Sequence, residues 1–132
     1  MMYELNNELN YDEMTEQEVI DYVRYFLRTE YRISENYVGF RYLLCAIIML
    51  LEDREYLNFI TKSLYVEIAV KCKSTDTAVE RGLRTLSMRL FDRHRDKEPF
   101  CYYDRYLLNG QFVDELTYMV ERRLNKKYSL NK

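Results

Sequence analysis

The chain has 132 residues, 48% of them hydrophobic and 32% charged, with a formal net charge of −2. That is enough for one domain with a real core and too little for two comfortable ones. Three Gly and one Pro count against a turn-rich sheet protein, and the longest apolar run, 42–51, is about half of what a bilayer crossing needs.

Residues 1–14 carry four carboxylates (Glu4, Glu8, Asp12, Glu13), no Lys or Arg, and no hydrophobic period. They predict a flexible acidic arm, and nothing in them resembles a secretory signal. A helical domain is expected over 15–128. Thr15 with Glu18 three residues on reads as a capping box. Val19, Tyr22, Val23, Phe26 and Leu27 then give one apolar face to about Arg32. After a turn at 34–38, Gly39 opens a helix to about Glu52 that is apolar around most of its circumference, the pattern of a central helix. A short connecting helix is expected over 56–62.

Leu64 to Cys72 predicts another helix, and Lys73-Ser74-Thr75 a polar break whose hydroxyls suit the free N–H groups of a helix start. From about Thr75 to Arg93 or His94, Val79, Leu83, Leu86 and Leu90 recur at helical spacing as a buried stripe. Residues 95–109 lose the period and contain Pro99, yet Phe100, Tyr102, Tyr103, Tyr106, Leu107 and Leu108 are too apolar for a free tail. An irregular loop folded back on the core is expected. Asn109-Gly110 starts a last helix with Phe112, Val113, Leu116, Val120 and Leu124 on its inner face. The fold class is therefore all-α, a single domain of about six helices. The 14 Tyr and absent Trp fit aromatics at the edge of a core, rings packed and hydroxyls wet.

The charge is unevenly spread. Residues 1–22 hold seven acidic residues and no Lys or Arg, whereas 60–97 hold nine basic and five acidic ones. A basic segment inside an acidic chain still suits a phosphate backbone. Cys45, Cys72 and Cys101 are odd in number and lack ligand spacing, and with one His no zinc site is expected; Cys45 and Cys72 read as reduced, buried thiols. No cofactor is implied. No nucleophile–base spacing or Gly-rich phosphate loop points to an enzyme.

Opposite the Val79–Leu90 stripe lie Thr77, Glu80, Arg81, Arg84 and Met88, an outward polar row on the second helix of a pair. This is the pattern of a helix-turn-helix, at about 64–93, presented to a DNA major groove. Arg81 suits bidentate donation to guanine O6 and N7, and Glu80 suits acceptance from a cytosine amino group. Thr77 and Arg84, one turn to either side, complete the expected base-contacting set. Lys62, Lys71, Lys73, Ser74 and Thr75 flank the turn and are the expected phosphate contacts. Arg89, Arg93 and Arg95 lie further along. The bland alternative is a set of solvated surface charges.

The same stretch resembles a known family. Ile60-Thr61-Lys62, Leu64-Tyr65, Ile68-Ala69, Lys71, Thr75, Val79-Glu80-Arg81 and Arg84 look like the DNA-binding effector domain of the master response regulator of sporulation in spore-forming bacteria, the stage zero sporulation protein A family. The likeness extends upstream through Gly39-Phe40, Tyr42-Leu43, Ala46-Ile47, Met49 and Asp53, and downstream to Gln111-Phe112-Val113 and Met119-Val120. It implies double-stranded DNA as partner, with Glu80 and Arg81 at positions that contact bases and a target containing a C-G step. RNA polymerase sigma factor, a full-length regulator and a dimer on tandem sites are further partners the resemblance suggests.

Three departures bear on this. Ala78 stands where the family usually has a basic residue, Thr85 where it usually has His, and Val66 replaces a Pro. The 95–109 loop is unlike the family segment that touches sigma factor, and no stretch makes the alternating strand and helix pattern of a phosphoacceptor domain. The expectation is a cytoplasmic, sequence-specific transcriptional regulator without a receiver of its own. A protein-interaction module that has kept the fold is the alternative.

Overall fold

Thr15 caps the first helix as its spacing predicts: its hydroxyl accepts from the Glu18 N–H at 3.1 Å and the Glu18 carboxylate accepts from the Thr15 N–H at 2.8 Å. The computed structural model describes residues 10–59 and 63–124. Five α-helices run through them: α1 (Glu16–Glu30), α2 (Val38–Glu52), α3 (Tyr65–Cys72), α4 (Asp76–Arg93) and α5 (Asn109–Leu124). Short 3₁₀ turns occupy Tyr11–Glu13, Arg54–Phe59 and Phe100–Tyr102, and no strand occurs among the described residues.

The count differs from the six helices expected because the link before α3 is not an α-helix where it is described. The expected 56–62 helix is a 3₁₀ turn at Arg54–Phe59, and Lys62 lies outside the described residues. The expected arm also needs revision over its last part. Residues 1–9 lie outside the described residues, but Tyr11 and Met14 pack against the core around the Tyr11–Glu13 turn. An apolar side chain at each end of that turn outweighs its two carboxylates, which point to solvent. Residues 125–128, the end of the expected domain, are also outside the described residues.

α2 is the central helix and packs against all four others. Its apolar circumference makes this possible: nine of its fifteen residues are buried. It crosses α4 with backbone nearly touching backbone. A Cβ added at Gly39 would stand 2.5 Å from the Gly82 carbonyl oxygen, and one at Gly82 would stand 2.8 Å from the Tyr42 ring. On α4, Val79, Leu83, Leu86 and Leu90 are all buried, the stripe that the period predicts. Each such side chain contributes about 1.5–3 kcal/mol by leaving water.

The 95–108 segment folds back as its apolar content predicts. Phe100 is fully buried, edge-on to Tyr31 at 5.8 Å between centroids and 6.5 Å from Phe112. Ser87, inside α4, donates to the Leu107 carbonyl at 2.7 Å. The Tyr31 hydroxyl donates to the Glu98 carbonyl, and burial pushes that phenol well above its usual range. His94 closes α4 with its Nε2 2.8 Å from the Tyr31 carbonyl. On α5, Phe112, Val113, Leu116, Val120 and Leu124 are completely buried. So is Glu121, whose carboxylate accepts from Arg54 at 2.8 Å and ties α5 to the turn after α2; Arg54 also pairs with Asp114.

Candidate nucleic-acid interface

The turn between α3 and α4 is built by its backbone. Lys73 adopts a left-handed conformation (φ 55°, ψ 52°), its N–H donates to the Val70 carbonyl at 3.3 Å, and the Ser74 N–H donates to Ala69 at 2.8 Å. These two bonds are a Schellman closure, usually made with Gly, and they satisfy the last carbonyls of α3. Thr75 then caps α4, its hydroxyl accepting from the Ala78 N–H at 3.1 Å. The Ser74 hydroxyl points inward to the Tyr42 hydroxyl at 2.8 Å, which fixes the turn to the central helix.

Several expected phosphate contacts therefore have structural work as well. Thr75 is exposed but its hydroxyl is a cap, and Ser74 is half-buried and bonded to Tyr42. Lys73 is exposed at the apex of the turn. Lys71 is exposed too, but it lines the groove between α2 and α3 with Arg41, Cys45 and Glu67 rather than the α4 face. Lys62 lies outside the described residues. Cys45 and Cys72 are free and half-buried rather than fully buried, and burial, with the neighbouring Cys72 thiol, pushes Cys45 up to about 12.

On α4, Thr77, Arg81 and Arg84 are exposed, with Arg81 near the centre of the outer face. Glu80 does not stand free beside Arg81: it is half-buried, and its carboxylate accepts from Arg84 at 2.5 Å. Its carbonyl, at 3.0 Å, and the Tyr65 hydroxyl, at 2.9 Å, both accept from the Asn109 side-chain amide, so α3, α4 and α5 meet at this point. Burial raises the Tyr65 phenol, against the lowering effect of the Asn109 bond. Glu80 and Arg84 thus share one flank of the helix. Arg81, Thr85 and Arg89 look the other way, into a groove with Asn36, Tyr37 and Val38 before and at the start of α2.

Sequence reasoning missed two features here. The Glu80–Arg84 pair had a local signal, Glu four residues before Arg on a helix. Arg89 lies over the Tyr37 ring, and that pairing had none, because Tyr37 lies in a turn 52 residues earlier and faces α4 only through the α2–α4 crossing.

The described residues contain no group of His, Cys, Asp and Glu suited to a metal ion and no helix long and apolar enough to cross a membrane. No solved structure matches the chain. The family described as sporulation initiation factor Spo0A C terminal matches residues 25–119, from the middle of α1 to well inside α5, and so takes in α2, both helices around the Lys73 turn and most of α5. With that match over well more than half of its length, the chain belongs to the Spo0A C-terminal family, a family of DNA-binding domains.

Proposed function

We propose that this chain is a sequence-specific double-stranded DNA-binding transcriptional regulator in which α3, the Lys73–Thr75 turn and α4 act as a helix-turn-helix. The observation that carries the reading is the division of α4. Its Val79–Leu90 stripe is sealed in the core, and Thr77, Arg81 and Arg84 in its first turns are open to a partner. A recognition helix works in this way, with its N-terminal residues at the base edges.

Roles follow from the local chemistry. Arg81, with no carboxylate bound to it among the described residues, is the donor aimed at guanine. Arg84 anchors the Glu80 carboxylate and leaves its second oxygen as an acceptor for a cytosine amino group. Lys73 and the first N–H groups of α4 serve neighbouring phosphates. Thr85 offers a hydroxyl beside Arg81, a shorter reach than a larger side chain would give. The described residues contain no strand, so control by aspartyl phosphorylation would reach them from outside.

One observation favours a second reading, a protein-interaction module. Val66 and Val70, on the outer side of α3, are 43% and 73% exposed. Site selection from a random duplex pool, followed by binding at several salt concentrations, separates the two. A DNA reader returns an enriched sequence and a steep salt slope. On that sequence Arg81→Ala should cost about 1–3 kcal/mol and relax base choice, and Lys73→Ala should weaken binding to all duplexes alike. Equal loss on matched and mismatched duplexes for Arg81→Ala would count against its role.

A further inference from the structure

Further along α4 than Arg81 and Arg84, Arg89 is an exposed guanidinium whose direction is set by packing. Arg89 lies over the Tyr37 ring, 5.4 Å from its centroid. The Tyr37 hydroxyl accepts from Arg93 at 3.2 Å, and Arg93 also reaches the Arg32 carbonyl at 3.4 Å. The Arg93 bond holds the Tyr37 phenol below its usual range. One tyrosine from the turn before α2 is thus fixed between two arginines of the last turns of α4.

This cluster shares a groove with Arg81. Arg81, Thr85 and Arg89 line one side of it, and Asn36, Tyr37 and Val38 the other. Glu35, the carboxylate of that turn, is drawn away to Arg24 at 2.9 Å and Arg28 at 3.4 Å, so it does not cancel the Arg89 charge. Asp92, three residues after Arg89, is exposed and is followed by the exposed Arg93. Arg89 is eight residues after Arg81, which at 1.5 Å and 100° per residue puts it about 12 Å along the helix and about 80° around it, toward α2. The major groove is about 12 Å wide. With Arg81 at the base edges, a cation displaced by that distance and turned to the flank meets the wall of the groove, where the phosphates are.

We propose that Arg89 is a phosphate-contacting residue positioned by Tyr37 and Arg93, an extension of the interface that rests on the DNA-binding reading above. A stacked guanidinium loses less side-chain freedom on meeting a phosphate than a free one. The cluster therefore strengthens binding to any sequence without choosing among sequences.

The test is fluorescence anisotropy of the full chain with a random-sequence duplex pool and with a selected duplex, between about 50 and 200 mM salt. Arg89→Ala and Arg89→Gln should weaken both duplexes by the same factor and reduce the slope of log K against log salt by about 0.9. Arg89→Lys should keep the slope, and Tyr37→Leu should keep the slope while lowering affinity several-fold. A purely structural role would alter melting and leave the slope untouched. A wild-type slope that neither Arg89→Ala nor Arg89→Gln changes, with melting intact, overturns the phosphate contact alone. A wild-type chain with no salt-dependent duplex binding overturns the DNA reading along with it.

Discussion

The close crossing of α2 and α4 makes a quantitative prediction about two glycines. An alanine at Gly39 would place its Cβ 2.5 Å from the Gly82 carbonyl oxygen and 3.1 Å from the Leu86 Cβ. The first of these is backbone and cannot rotate away, so the two helices must separate. Overpacking of this kind costs about 1–3 kcal/mol, and the better helix propensity of Ala returns up to about 1 kcal/mol. Gly39→Ala should therefore destabilise by about 1–2 kcal/mol. At Gly82 the added Cβ meets the Tyr42 ring at 2.8 Å. That ring can tilt, but only by giving up its hydroxyl contact with Ser74, worth about 1 kcal/mol. After the propensity gain, Gly82→Ala should cost about 0–1 kcal/mol, and the cost should shrink further in a Tyr42→Phe background, where the tether is gone. Urea denaturation of wild type and Gly39→Ala, together with a double-mutant cycle over Gly82→Ala and Tyr42→Phe, reads these differences directly. Gly39→Ala as stable as wild type would refute the close crossing. A Gly82→Ala cost independent of Tyr42 would refute the role of the tether.

Other consequences are simpler to state. Lys73→Gly relieves a left-handed backbone that a side chain disfavours, so it should stabilise by about 1 kcal/mol in thermal melts while weakening duplex binding through the lost cation. Thr75→Ala removes the α4 cap and should cost about 1 kcal/mol, most of which Thr75→Ser should retain. Burial alone would raise the Glu30 carboxyl, but hydrogen bonds and charge from Lys97 and Arg123 outweigh it and hold it below the ordinary glutamate range. A carboxylate lowered in the folded state stabilises above its unfolded value and loses that contribution as pH falls through the folded one. Melting should thus drop below about pH 4.5, and Glu30→Gln should flatten that acid limb.

Much of this protein is legible in its sequence because a helix period is a local property. The Val79–Leu90 stripe, the inner face of α5 and the Thr15 capping box all follow from residues three or four apart, and each is found where the spacing puts it. The exposure of Thr77, Arg81 and Arg84 follows from the same arithmetic, since a residue on the far side of a buried stripe has nowhere to go but solvent. Local charge was less instructive: the acidic run at the N-terminus hid Tyr11 and Met14, whose apolar area docks at least residues 11–14 on the core.

What the tertiary structure decided is partnership. Ser74 bonds Tyr42, Asn109 joins the Glu80 carbonyl to Tyr65, Arg54 pairs with Glu121, and Tyr37 sits between Arg89 and Arg93. Each pair is separated by 29 or more residues, so no window of sequence contains both members. Lys71, adjacent in sequence to the turn, faces a different groove from Arg81 because α3 and α4 diverge after the Schellman closure. The period of a helix fixes which side chains leave the core, but only the helix crossings fix which of them meet. At the α2–α4 crossing that depends on two glycines that bring the backbones into contact.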